Sequence, residues 1–215
     1  MDWWPLRRSL QRLCKHYDVK LTQNYCGTKA VKLPNSPEKD VVTLCNYEYQ
    51  YNVDHEVIDE AHIFGYYSTK EENVFIDSAG MYPDAYNVFP FEGAPQQLPK
   101  KSKYGKWSYP EPDFFIFEST AQGPFVTCAG WFILIVHMLM SGMAPRDINS
   151  LFIDKEPHFL HPIVRTYLED YSKTIRNYNN HPDWNIDMTP EATTMYDKIT
   201  TVIGPPTRRG RPSKL

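Results

Sequence analysis

Paired cysteines are missing from this chain. Its four cysteines stand at positions 14, 26, 45 and 128, no two closer than 12 residues, which leaves no CxxC half-site for zinc and no dithiol redox pair. A structural metal is therefore not expected. Long apolar runs are also scarce. The one long run, Trp131 to Met140, is broken by His137 and bounded by Gly130 and Gly142. It falls far short of the roughly 20 residues that cross a bilayer and reads as a buried helix. The start, Met1-Asp2-Trp3-Trp4-Pro5, lacks a basic stretch followed by an apolar one. No secretory leader is expected, and the thiols should be reduced ones in an intracellular protein. Nor is there an excess of charge of one sign: 23 Lys and Arg face 26 Asp and Glu, a net −3, which excludes a general polyanion binder.

What is present is material for one substantial core: 215 residues, 41% hydrophobic and 14% aromatic. One domain is expected over residues 1–203, followed by a disordered basic tail over 204–215. That tail holds Arg208, Arg209, Arg211 and Lys214 with no acid, so the remaining 19 basic and 26 acidic groups leave the body at −7. Leu6, Leu10, Leu13 and Tyr17 recur at helical spacing behind a capping Asp2, with Arg7, Arg8, Arg12 and Lys15 on the wet face. Residues 41–51, 62–67 and 73–77 are rich in β-branched and aromatic residues and read as strands, the last two forming a hairpin around STKEE. Six prolines between 83 and 112 forbid a long helix there, so that stretch reads as an irregular surface segment. DFFIFES at 113–119 reads as another strand. Pro162 should open a second amphipathic helix running through Tyr178, with a polar loop, NNHPDWN, behind it.

Chemistry concentrates at two places. A symmetric hairpin turning between Thr69 and Lys70 sets His62 directly opposite Asp77, close enough on one face for a carboxylate to hold an imidazole. A slip of one residue would throw them to opposite faces. Phe64 and Phe75 share their face, and Ile63 and Ile76 the other, so both faces should be covered. Cys128 follows the short loop GPFVT and opens the apolar helix. A sulfur at a helix N-terminus is favoured as thiolate by the macrodipole and the unpaired N–H groups, and beside an imidazole it becomes a nucleophile. The same N–H groups are natural oxyanion donors, and Gln122, six residues upstream, is a neutral amide able to add another. Together these residues make up a thiol hydrolase.

His62, then FIDSAG with Asp77, then STAQGPFVTC with Gln122 and Cys128, resembles the His, Asp or Glu, Gln, Cys order of the adenovirus endopeptidase (adenain) family. The resemblance spans roughly residues 10–180, and Gln122-Gly123-Pro124 ahead of the cysteine is its most specific piece. The SUMO-deconjugating proteases share the order and spacing more distantly. The chain departs from the family pattern in having Ile63 where Trp usually follows the histidine, and Ala129 where Gly usually follows the cysteine. The resemblance implies an α+β, papain-like or adenain-like cysteine protease fold: a central mixed sheet, a buried helix carrying the nucleophile, and helices packed on both sides. It implies a viral endopeptidase that cuts virion structural precursors near glycine-rich sites during maturation, acting in the virion and the host nucleus. No cofactor is expected, with DNA and a viral peptide as activators. Since no cysteine lies between Cys45 and Cys128, a peptide disulfide-linked at the adenoviral position is excluded. The chain is expected to be a monomer without membrane contact.

Other readings stay open. His55 could replace His62 as base, and Cys26 before Gly27 imitates a nucleophile motif, although no apolar helix follows it. His137, inside the apolar run, is expected to be a hydrogen-bonded core imidazole. Arg208, Arg209, Gly210, Arg211, Pro212 and Lys214 contain the core of an AT-hook, in which an Arg-Gly-Arg-Pro strand lies in a narrow minor groove. A nuclear-import signal is the equal alternative. Two further functions compete with the virion protease: a deconjugating protease acting on ubiquitin-like tails, and an inactive DNA-binding structural protein of the same fold.

Overall fold

Apolar residues at alternating and helical spacing organise the chain into one mixed sheet and a group of helices, as an α+β fold. The structure is a computed structural model describing residues 3–25, 38–53, 56–70, 72–78, 106–108, 128–152, 155–172 and 186–205. Among these residues five strands run in spatial order β1 (Lys20–Tyr25), β2 (Val41–Val53), β3 (Glu56–Ser68), β4 (Glu72–Asp77) and β5 (Lys106–Ser108). The outer pairs, β1 with β2 and β4 with β5, are parallel; the inner pairs are antiparallel. Five helices are described: α1 (Trp3–His16), α2 (Cys128–Met140), α3 (Pro145–Phe152), α4 (Pro157–Ser172) and α5 (Pro190–Ile203).

Alternation divides the sheet into two faces. Val42, Leu44, Ile63, Tyr67, Val74 and Ile76 belong to one core cluster to which all five helices contribute. At its centre α2 is buried from Cys128 to Leu139. It lies close on β3 because Gly65 has no side chain: a Cβ there would sit 2.9 Å from the Phe132 ring and 2.1 Å from the Thr43 carbonyl oxygen. Gly130 does the same between helices, since a Cβ would meet Leu168 Cδ1 at 2.7 Å. On α1, Leu6 and Leu10 of the predicted apolar face are buried, Leu13 and, just past the helix end, Tyr17 are half-buried and Cys14 joins them, while Arg8, Arg12 and Lys15 are exposed and Arg7 is half-buried. The opposite face of the sheet is also buried, through Val41, Cys45, Phe64, Tyr66 and Phe75. Phe75 packs its ring 5.9 Å from Phe64 and 5.2 Å from Tyr66.

Four expectations are corrected. The β3–β4 register pairs Phe64, not His62, with Asp77. Helices on both sides of the sheet are not found among the described residues, where all five gather on the Ile63 face. The helix expected to open at Pro162 begins at Pro157, leaving Pro162 in its second turn. Pro157 is the residue that fits a first helical position, and Phe159 and Leu160 donate back to the Glu156 carbonyl to close the first turn. Residues 106–108, inside the proline-rich segment, pair with β4 as a strand. The sequence pattern predicts no element where β1, α3 and α5 stand. The Asp2 cap, the remainder of the 83–112 segment, the 113–119 strand, Ile175, Tyr178, the 179–185 loop and residues 206–215 lie outside the described residues.

Candidate active site

The apolar helix α2 starts at Cys128 and ends where Gly142 takes a φ of 88°, a left-handed conformation suited to glycine. Its first residue carries the thiol, so the sulfur stands at the positive end of the helix dipole. On the sheet, β3 presents His62 and β4 ends at Asp77. The two side chains meet: His62 Nε2 lies 2.8 Å from Asp77 Oδ1. Asp77 is fully buried and His62 is 17% exposed.

Burial of the His62 ring works against its charged form, but the Asp77 carboxylate and its hydrogen bond outweigh that, and interaction with Cys128 adds to them. The net result holds the imidazole's pKa well above its usual value. The Cys128 thiol thus interacts with the same ring that Asp77 holds. Phe64, two residues along and on the same face, stacks on the imidazole with centroids 6.2 Å apart and planes 21° apart. An aromatic neighbour is thus supplied from position 64 although position 63 holds isoleucine, whose side chain joins the helix-side core. Alternation places Phe64 on this face, because residues i and i+2 share a face.

Three of the four residues read from the sequence, His62, Asp77 and Cys128, are brought together. Gln122 lies outside the described residues, as do His55, Cys26 and the tail residues Arg208, Arg209, Gly210, Arg211, Pro212 and Lys214. Gly130, one position later than the family pattern, faces Leu168 and Val164, so its role is close helix packing.

The other described cysteines, Cys14 and Cys45, are buried outside any disulfide, as Cys128 is, and burial pushes the Cys14 thiol up to about 12 despite a backbone hydrogen bond. His137 is the core imidazole that its position suggests: its Nδ1 lies 3.1 Å from the Tyr167 hydroxyl, and burial, aided by nearby His16, lowers its pKa to about 4. Among the described residues, no group of three or more His, Cys, Asp or Glu could hold a metal ion, and no helix is long and apolar enough to cross a membrane. Comparison with protein-family models, characterised proteins and solved structures found no match.

Proposed function

We propose that this chain is a cysteine endopeptidase working by thiol acyl transfer. The observation that carries this reading is one imidazole held by a buried carboxylate at 2.8 Å while within reach of a thiol at a helix N-terminus. A core cysteine needs no such arrangement. Cys128 passes its proton to His62, and the thiolate attacks the scissile carbonyl to form a tetrahedral oxyanion. That oxyanion is held by the Cys128 N–H and, on the resemblance, by Gln122. Collapse breaks the C–N bond as the His62 imidazolium protonates the leaving amine. Water, deprotonated by His62, then cleaves the thioester and returns the thiol. Asp77 orients the ring and stabilises its charge throughout.

By resemblance to the adenain family, the substrates are virion structural precursors cut near glycine-rich sites, and the place of action is the virion and the host nucleus. DNA and a viral peptide are the activators this reading implies. A deconjugating protease would use the same three residues and is separated by cleavage of a ubiquitin-like fusion. The direct test is a peptide vinyl sulfone. It should modify Cys128 ahead of Cys14 and Cys45, and only while His62 is present. Absence of labelling at Cys128 would favour the inactive DNA-binding protein instead.

A further inference from the structure

At the other end of α2, a cavity of about 370 Å³ opens between α1, α2, α4 and α5, within the size range of small-molecule sites. His137 lies nine residues from Cys128, about 13 Å along the helix at 1.5 Å per residue, so the cavity is separate from the candidate active site. Its walls are aromatic. Tyr17 and Tyr171 meet the His137 ring edge-on, with centroids 5.6 and 5.2 Å away, and Tyr167 stacks on Tyr171 at 4.9 Å.

Its charges are unevenly satisfied. Asp170, the lining carboxylate, accepts a hydrogen bond from the Tyr196 hydroxyl at 2.6 Å. Arg12 donates only to the neutral Ser9 hydroxyl, at 3.2 Å, and forms no ion pair among the described residues. His16 lines the same cavity one helical turn beyond Arg12, adding a second cation-capable group.

We propose that this cavity binds a small anion carrying a planar aromatic ring, about the size of a nucleoside monophosphate. Arg12 and His16 take the anionic group, and the ring lies against Tyr17 and Tyr171. A guanidinium forms two parallel hydrogen bonds to a phosphate or carboxylate, which the single Ser9 hydroxyl cannot replace. Aromatic faces and edges supply the ring contact. Neither part suffices alone, so the site should discriminate against ligands with only one of them.

The test is calorimetric titration of the full chain with adenosine monophosphate, adenosine and inorganic phosphate in parallel. Adenosine monophosphate should bind at least tenfold more tightly than either fragment. Arg12→Gln should weaken it at least tenfold. Arg8→Gln removes the same charge from an exposed position of the same helix outside the cavity, and should change affinity by less than twofold. Equal losses in the two variants would mean diffuse attraction to a basic helix and overturn the proposal. So would equal binding of adenosine monophosphate and phosphate, or no binding at millimolar concentration. Thermal unfolding of each variant checks that it is folded, and none of these readouts depends on protease activity.

Discussion

Asp77 reaches His62 across a diagonal of the β3–β4 ladder: Phe64 is the residue directly opposed to Asp77, yet Oδ1 stands 2.8 Å from the imidazole Nε2. The register differs by two residues from a symmetric hairpin, and an even shift leaves every side chain on its original face. Diagonal neighbours are within reach of long or aromatic side chains, so the pair forms across the offset. Asp77→Asn keeps the shape and removes the charge that raises the His62 pKa. The alkaline limb of the kcat/KM profile for peptide hydrolysis should then move down toward the ordinary histidine value of about 6.5. In stability, a raised folded pKa means that the pair's contribution is complete below about 6.5 and is lost as pH rises through the folded value. The variant should thus be most deficient in mildly acid and neutral solution and converge on the parent in alkali. Parallel pH profiles would separate Asp77 from the function of His62.

His137 should show the opposite sign. Its folded pKa of about 4 lies below the unfolded value, so the unfolded chain takes up the proton first as pH falls. Stability should decline by roughly 3 kcal/mol between pH 6.5 and 4, from 1.36 kcal/mol per pH unit of pKa difference. Urea unfolding of His137→Gln over the same range should lack that decline. Its peptide hydrolysis at pH 7 should remain near the parental rate.

The two close-packing glycines should respond unequally to alanine. In Gly65→Ala the new Cβ meets the Thr43 carbonyl oxygen at 2.1 Å, so strands β2 and β3 must shift, and a loss of about 3 kcal/mol is expected. Gly130→Ala meets the ends of Leu168 and Val164 at 2.7 and 3.0 Å, which can rotate. Alanine also gains about 1 kcal/mol of helix propensity over glycine, so the net loss should stay under about 1 kcal/mol. Denaturant midpoints rank the two.

Cys128→Ala should abolish peptide cleavage with the fold retained, and His62→Ala should be nearly as damaging, since base and acid are lost together. Gln122→Ala should leave a folded enzyme slowed about 100- to 1,000-fold in kcat if its amide holds the oxyanion. A more severe effect of His55→Ala than of His62→Ala would reassign the base.

Truncation tests the tail, and the cut belongs after Pro205. Gly204 ends α5 with a φ of 78°, its carbonyl accepts the Tyr171 hydroxyl, and Pro205 lines the α1–α2 cavity. Deleting 206–215 removes all four tail cations while sparing those contacts. Neutralising about four phosphates corresponds to a log–log salt slope of about −3.6. The truncated chain should lose that much slope in DNA binding and cut DNA-bound substrate more slowly at low salt. Hydrolysis of a free peptide should not change. Equal rates on DNA-bound substrate would favour the import-signal reading.

The local pattern of the chain determined what depends on neighbours along it. Leu6 and Leu10 lie on one face because of helical spacing. The run from Trp131 is buried because nothing in it but His137 is polar. Cys128 opens a helix because an apolar run starts there, and His62 and Asp77 share a face because alternation has period two. The tertiary structure decided what depends on partners distant in sequence. The hairpin offset is one case, because the turn around Thr69 carries no Asn-Gly or Asp-Gly signal that would fix its length, and the register follows packing instead. The start of α4 is another, since Pro157 and Pro162 both satisfy the local rule and only the turn closed on Glu156 chooses between them. The meeting of Cys128 with His62 joins residues 66 positions apart, on a helix and a strand that pack together where Phe132 meets Gly65. No local spacing encodes that approach, because it joins a strand to a helix far along the chain.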